Sequence, residues 1–229
     1  MKTIGIIGGL SPASTTKYYQ WLNDGMREQL GGHHSAKIIL WSVDFAEFCA
    51  MKEKGDWKSQ SLQLCHAAKQ LEGAGADVIV LATNTMHKMA DDIVASISIP
   101  FLHIADAAAT SILEQNIETI AFLGTKYSME LDFYTNRLRD KGLNVLTPDT
   151  DDRKIINDII YRELTKGIVL DESRAEYLRV ITKLQSEGAQ GVILGCTEIT
   201  LVVDPQDCPI PVFDTTRIHV DEALRFALT

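Results

Sequence analysis

Several features that define other classes of protein are scarce or missing in this chain of 229 residues. It has four cysteines, too few for disulfides to stabilise a chain of this length, and none of them is in a Cys-x-x-Cys spacing. This pattern is typical of reduced thiols in a cytoplasmic protein. No apolar run approaches the roughly 18–20 residues of a membrane span, and nothing near the N-terminus resembles a signal-peptide cleavage site. Lysine and arginine number 22 against 31 aspartates and glutamates, and the net charge of −9 argues against nucleic acid or an anionic membrane as a partner.

Motifs for metals, nucleotides and serine nucleophiles are also missing. The six histidines are scattered, with no H-x-x-x-H pair and no carboxylate-flanked pair, so we predict no metal. Neither G-x-G-x-x-G nor a Walker motif is present, and no G-x-S-x-G elbow appears. Nucleotide binding and α/β-type serine hydrolysis are therefore disfavoured.

What the chain does contain is a regular alternation of apolar strands and amphipathic helices. Predicted strands lie at 3–7, 38–43, 78–81, 119–123, 192–194 and 211–213, and predicted helices at 58–71, 129–139, 155–164 and 174–184. Continuous apolar strands between helices favour parallel sheets that are covered on both faces. Ser11 before Pro12 predicts a helix start, and Gly142 and Gly167 are predicted C-caps.

An internal repeat predicts two related domains. Residues 75–83 align with 188–196 without gaps, Ile4–Gly9 is similar to Ile120–Thr125, and Pro100–Leu102 is similar to Pro211–Phe213. The three pairs occur in the same order at nearly the same offset, although convergent strand composition is the alternative. We therefore predict two pseudo-symmetric α/β domains, 1–104 plus 212–229 and 105–211, with an active site in the cleft between them.

The repeat places Thr83 and Cys196 at the ends of equivalent strands. Ligands bind at the carboxyl ends of strands in open α/β sheets, so the two side chains are expected to approach one cleft from opposite sides. That geometry suits action on both faces of a tetrahedral carbon. A thiol with a lowered pKa can serve as a base at neutral pH, whereas an unpaired cysteine can also be a small core residue.

Six segments together make the chain resemble the aspartate/glutamate racemase family, close to its aspartate and broad-specificity members, over essentially the whole length. The segments are residues 4–11, 42–45, 83–88, 123–125, 195–198 and 213–216. The resemblance implies a cofactor-independent mechanism with one cysteine on each side of the amino-acid Cα, and it also implies a homodimer. It also implies that Cys196 faces the α-hydrogen of the L-isomer.

The chain departs from the family pattern at the first base, where Thr83 stands in the place of a cysteine. An alkanol is a far weaker acid than a thiol, so Thr83 is not expected to form an anionic base at pH 7. It can still donate a proton to a carbanion that Cys196 generates. We therefore expect a racemase of aspartate or glutamate that is biased toward L-substrates.

Further substrate-binding residues follow from strand-end loops and from the resemblance. Loops that lead into helix N-termini bind carboxylates, and the resemblance implies that such loops hold the α-amino and α-carboxyl groups; their residues are Leu10, Ser11, Asn84, Thr85, Thr125 and Thr197. Lys52 and Lys166 are candidates for the distal carboxylate, with solvated surface lysines as the alternative. Glu198 is expected to orient Cys196, to contact the substrate amine or to cap its helix. His87 is interpreted as lining the cleft or capping its own helix.

Two other functions stay open at this point. A single strand-end cysteine also suits decarboxylation or cis-trans isomerisation of a small dicarboxylate on the same scaffold. A non-catalytic amino-acid-binding relative is favoured only by the missing first cysteine. The sequence does not rank aspartate, glutamate and bulkier amino acids, because pocket depth depends on loop conformation.

Overall fold

Eight short strands form two parallel four-stranded sheets in the computed structural model, which describes residues 1–229. The strands are β1 (Ile4–Gly8), β2 (Ile38–Ser42), β3 (Val78–Leu81), β4 (Phe101–Leu102), β5 (Thr119–Gly124), β6 (Asn144–Leu146), β7 (Gly191–Gly195) and β8 (Val212–Asp214). The strand orders are β2-β1-β3-β4 and β6-β5-β7-β8, and every pairing is parallel. The second order is the first repeated four strands later, which confirms the predicted fold class.

Ten α-helices and three short 3₁₀ helices connect the strands. The α-helices are α1 (Pro12–Leu30), α2 (Phe45–Glu53), α3 (Trp57–Gly73), α4 (Ala90–Ser96), α5 (Ile104–Leu113), α6 (Lys126–Glu130), α7 (Asp132–Asp140), α8 (Thr150–Arg162), α9 (Asp171–Ser186) and α10 (Thr215–Leu228). The 3₁₀ helices are Thr85–Met89, Leu164–Lys166 and Thr197–Leu201. No helix is both long enough and apolar enough to cross a bilayer.

Two compact units divide the chain. Unit 1 contains residues 1–104 and 219–229, and unit 2 contains residues 105–218. The predicted return of the chain to the first domain at residue 212 differs from this division. The reason is that β8 pairs with β7 in the sheet of unit 2, so the chain leaves that unit only within α10.

The inner strands β1 and β3 of unit 1 are buried on both faces of the sheet. Ile4 and Ile6 of β1 point into one apolar cluster with Leu22 of α1, and Ile7 points into the other with Leu64 of α3. Because neighbouring side chains of a strand face opposite ways, a strand covered on both sides must be apolar at every position. The burial therefore accounts for the unbroken apolar runs in the sequence.

Local signals set several helix ends. The Ser11 hydroxyl accepts a hydrogen bond from the Ser14 backbone N–H at the start of α1, directly before Pro12. Gly142 follows α7 with φ +99°, and Gly167 ends its 3₁₀ helix with φ +73°, a region that only glycine enters without strain. One predicted helix, 129–139, is divided into α6 and α7, because Leu131 adopts an extended conformation between them.

Candidate active site

Thr83 lies directly after β3, on a loop whose backbone is held at two points. Its N–H donates to the Leu81 carbonyl at 2.8 Å, and its own carbonyl accepts from His87 Nδ1 at 2.7 Å. The side chain is half-buried, whereas Asn84 and Thr85, which follow it, are buried. With the backbone held at both its N–H and its carbonyl, the direction of the Thr83 hydroxyl depends mainly on one side-chain torsion.

His87 supports this loop as a neutral ring. The Ile104 backbone N–H donates to Nε2 at 3.2 Å, so Nε2 is the acceptor and Nδ1 carries the proton that is donated to Thr83. The ring lies 4.6 Å from that of His103 and 5.8 Å from that of His219, centre to centre. The two ring nitrogens of His87 thus tie the Thr83 loop to the first residue of α5.

His219 is the most deeply buried member of this histidine cluster, which we define as His87, His103 and His219. Its Nε2 donates to the Leu102 carbonyl and its Nδ1 accepts from the Tyr18 hydroxyl, both at 2.8 Å. Burial lowers the pKa of His219 to about 4, although the bond to the Leu102 carbonyl acts in the opposite direction. The ring is therefore uncharged at neutral pH.

The loop after β1 forms the other strand end of unit 1. The Gly9 N–H donates to the Thr15 hydroxyl at 2.9 Å, and Thr15 donates in turn to the Ser11 carbonyl at 3.0 Å. Gly9 has φ +81°, and a Cβ atom there would lie 2.2 Å from the Val43 carbonyl oxygen, so no other residue fits. The Leu10 side chain packs in an apolar cluster of unit 1, which leaves its backbone as the part available to a ligand.

Cys196 follows β7 in unit 2, at the position that the repeat aligns with Thr83. Its side chain is half-buried, and its Sγ–H donates to Glu198 Oε2 at 3.0 Å. Glu198 is 9% exposed, so the carboxylate that receives this hydrogen bond is largely shielded from water. A thiol and a carboxylate in contact can share one proton, and the pair then carries one negative charge.

Hydroxyl groups surround the strand ends of unit 2. Thr197 and Thr216 share a hydrogen bond at 2.8 Å between their Oγ1 atoms, and Thr215 donates to the Leu194 carbonyl at 2.9 Å. After β5, the Thr125 hydroxyl accepts from the Ser128 N–H at 3.3 Å as the N-cap of α6. Thr125 and Thr197 are therefore both buried and engaged in local hydrogen bonds.

The two predicted lysines lie in different surroundings. Lys52 is half-buried near the end of α2 in unit 1. Lys166 is exposed, and its 3₁₀ helix packs against the 3₁₀ helix Thr197–Leu201 that follows Cys196. Of the two, Lys166 thus belongs to a segment that lies beside the Cys196 loop.

Some groups around these loops have no obvious signal in the sequence. His219 and Tyr177 resemble ordinary helix residues, because the groups that act on them are distant in the chain. His87 stands four residues after Thr83, a spacing that allows its side chain to reach back to the Thr83 carbonyl, so the sequence did contain a signal for this bond.

A surface groove of about 630 Å³ between α3 and α4 in unit 1 contains none of the predicted site residues. No cluster of three or more metal-ligating side chains is present.

Comparison with known proteins establishes the class. The profile of the Asp/Glu/hydantoin racemase family matches residues 7–223, and the chain belongs to this family. The predicted family is thereby confirmed, and racemisation is supported as the class of reaction.

Individual relatives match all or nearly all of the chain. A crystal structure of a candidate Asp/Glu racemase from Yersinia pestis is 54% identical with a TM-score of 0.96, covering 100% of both chains. An aspartate racemase homologue from Pyrococcus horikoshii is 36% identical with a TM-score of 0.88, again over 100% of both chains. The broad-specificity amino-acid racemase RacX of Bacillus subtilis is 23% identical over 216 residues, 93% of this chain and 92% of RacX.

Proposed function

We propose that the protein is a cofactor-independent racemase of acidic amino acids in which Cys196 is the base toward the L-isomer and Thr83 is the opposing proton donor. The observation that carries the proposal is the contact of the Cys196 thiol with the shielded Glu198 carboxylate at the carboxyl end of β7. Family membership supports the reaction class, and the names of the relatives support acidic amino acids as substrates.

The base is formed when the Cys196 proton moves to Glu198. The pair keeps a single negative charge, but the charge is then on sulfur, which can remove the Cα proton of a bound L-amino acid. The Cα–H bond breaks, its electron pair enters the substrate carboxylate as an enediolate, and sulfur receives the proton. The pair is then neutral and must release one proton before the next turnover.

Thr83 completes the reaction from the other face of Cα. Its hydroxyl donates a proton to the carbanion, and the alkoxide that forms is reprotonated from solvent. Because a hydroxyl is a poor base at neutral pH, the D-isomer lacks an equally effective group to remove its α-hydrogen. The equilibrium constant of a racemisation is one, so the bias toward L-substrates must arise from weak or unproductive binding of the D-isomer or from slow kinetics.

Cationic and N–H groups near these loops suit a dicarboxylic substrate. Helix N-termini after β3, β5 and β7 offer backbone N–H groups for the α-carboxylate. Lys166 is our first candidate for the distal carboxylate, because its segment packs beside the Cys196 loop, and Lys52 is the second. Replacement of Lys166 by methionine is expected to raise KM for aspartate and glutamate while leaving kcat nearly unchanged.

Proton NMR in deuterium oxide tests the reaction. Wild-type enzyme should remove the Cα proton signal of L-aspartate or L-glutamate as deuterium enters, and Cys196→Ala should abolish this exchange. Cys208→Ala is the matched control, because Cys208 is also a half-buried thiol of unit 2 but lies outside the strand-end loops. Burial and Asp207 raise the pKa of Cys208, so it is not expected to supply a thiolate.

The outcomes separate the alternatives. If maleate or an arylmalonate is converted faster than either amino acid, the chain performs isomerisation or decarboxylation instead. If the amino acids bind but no deuterium enters, the chain is a binding protein. Equal kcat values for the D- and L-isomers, measured by circular dichroism, would contradict the proposed asymmetry of Cys196 and Thr83.

Oligomeric state and location stay predictions. The expected homodimer is checked by light scattering of the purified chain at several concentrations.

A further inference from the structure

Tyr177 is a buried phenol whose hydroxyl has no hydrogen-bond partner. It lies on α9 in unit 2, its side chain is 0% exposed, and its oxygen neither donates nor accepts a hydrogen bond. A buried polar atom without a partner costs folding free energy, so a native structure that retains one calls for an explanation.

Two acidic side chains, Glu163 and Glu198, act electrostatically on this hydroxyl, and the segments that carry them pack against each other at the Cys196 loop. One turn earlier on the same face of α9, Ser173 donates to Glu163 Oε2 at 2.5 Å. Glu163 precedes the 3₁₀ helix Leu164–Lys166, which packs against the helix that carries Glu198. The groups that act electrostatically on the Tyr177 phenol are Cys196, Glu163 and Glu198. Burial raises the pKa of Tyr177 well above its ordinary value, and these three groups raise it further, so the phenol keeps its proton.

Tyr134 shows that an unpaired hydroxyl alone does not indicate a role. It lies on α7 in the same unit, is also 0% exposed, and its hydroxyl also has no partner. The charged group near it is Asp106, whose two oxygens accept from Arg137 at 2.8 Å each. What distinguishes Tyr177 is therefore that Cys196 and Glu198 are among the groups that act electrostatically on its hydroxyl.

We propose that Tyr177 is a positioning residue for the base, whose hydroxyl donates a hydrogen bond to the sulfur of Cys196 when that sulfur becomes a thiolate. The inference rests on the proposed function, in which the Cys196 proton moves to Glu198. While the proton is on sulfur, Cys196 is a donor and offers the phenol only a weak acceptor. When the charge moves to sulfur, the phenol gains an acceptor and keeps its own proton. A buried donor that has no other partner loses no existing hydrogen bond when it turns toward the place where charge develops.

The test is the thiolate fraction of Cys196, measured by alkylation. Wild type, Tyr177→Phe and Tyr134→Phe are treated with iodoacetamide from pH 5 to pH 10, and modification of the Cys196 peptide is quantified by mass spectrometry. Loss of a hydrogen bond to a charged sulfur should slow alkylation of Tyr177→Phe about tenfold at pH 7 and move its profile up by about one pH unit. Tyr134→Phe should follow the wild-type profile, because the charged group that acts on its phenol is Asp106 and not Cys196.

A merely structural role predicts a different pattern. Phenylalanine removes an unpaired hydroxyl at either position, so both variants would then unfold at higher temperature and neither would change the alkylation profile. That result would overturn the proposal. If Tyr177→Phe does not fold, 3-fluorotyrosine introduced at position 177 keeps the hydroxyl and makes it a stronger donor. The alkylation profile should then move to lower pH, and an unchanged profile would equally overturn the proposal.

Alkylation needs no substrate, so the two proposals fail separately. A shifted profile without deuterium exchange in the wild type would support the Tyr177–Cys196 bond and reject racemisation. Exchange with an unshifted profile would support racemisation and reject the role of Tyr177. When both hold, the exchange rate of Tyr177→Phe should reach half its maximum at a pH about one unit higher, with KM unchanged.

Discussion

The loops after β3 and β7 occupy the same place in two sheets of the same strand order, but they are supported by groups of different chemistry. In unit 1, the Thr83 carbonyl accepts from the neutral ring of His87. In unit 2, Thr200 stands at the aligned position and donates to the Thr197 carbonyl at 2.8 Å. The aligned side chains thus hold different carbonyls: the imidazole in unit 1 bonds the functional residue itself, and the hydroxyl in unit 2 bonds the residue after it.

The second difference is at the position two residues after the functional side chain. Unit 1 has Thr85 there, and unit 2 has Glu198, which accepts from the Cys196 thiol. Only the second loop therefore combines an acidic sulfur with a group that can take up its proton. The duplicated loops thus share their place at the strand ends, while a thiol in contact with a carboxylate is found in unit 2 alone.

Cys196→Ser is expected to have the largest effect, because it gives unit 2 the same functional group that unit 1 already has. A hydroxyl is a far weaker acid than a thiol, so the serine should not ionise at neutral pH even with Glu198 beside it. We expect kcat for L-aspartate or L-glutamate to fall about 10³-fold, measured by deuterium exchange at Cα. Cys208→Ser should retain wild-type activity, and a serine enzyme that loses less than tenfold would show that sulfur is not the base.

Acidification should have the next largest effect, and it should act on unit 1 through His219 of the histidine cluster. His219 is neutral in the folded protein, with a pKa of about 4 against an ordinary value of 6.5, so the unfolded chain binds the proton more readily. The stabilisation is fully present above pH 6.5 and is lost as pH falls toward 4. The shift corresponds to about 3 kcal/mol of unfolding free energy.

Tryptophan fluorescence can follow this loss in unit 1, because Trp21, Trp41 and Trp57 are the three tryptophans of the chain and all lie there. Urea unfolding at pH 7.5 and pH 4 should show the loss in wild type and a much smaller one in His219→Gln. His34→Gln, at an exposed histidine, is the control and should behave as wild type. Equal pH dependence in all three proteins would mean that His219 does not determine the acid sensitivity.

The features that could be predicted from the sequence are those that depend on residues close together in the chain. Strands buried on both faces must be apolar throughout, so the runs that became β1, β3, β5 and β7 were visible, and the repeat exposed their equivalence. The same logic located Thr83 and Cys196, because polar residues directly follow those runs. The edge strand β6 was missed: it spans three residues, Asn144–Leu146, and only one of them is buried.

The features that it missed depend on partners far along the chain. Tyr177 has the helical spacing of a core aromatic residue, and nothing near it in the sequence indicates that Cys196 and Glu198 act on its hydroxyl. His219 bonds to the carbonyl of Leu102, which is 117 positions away. The break between α6 and α7 depends on one extended residue, Leu131, in a stretch with ordinary helical periodicity. Such contacts are set by packing of whole elements rather than by local pattern.

Thr83→Cys is expected to have the smallest effect, and it gives unit 1 the functional group that unit 2 already has. It places a thiol on the loop that is held by His87, where no carboxylate stands two residues on to take up its proton. We expect turnover of the D-isomer to rise roughly tenfold, because a thiol ionises to a basic thiolate far more readily at neutral pH than an alkanol does, even without that partner. Circular dichroism with D- and L-aspartate measures the change, and Thr83→Ser is the control that keeps a hydroxyl. If the cysteine variant gains no activity on the D-isomer, the bias lies in how that isomer binds. If Thr83→Ser gains as much as Thr83→Cys, the gain comes from side-chain size and not from the acidity of sulfur.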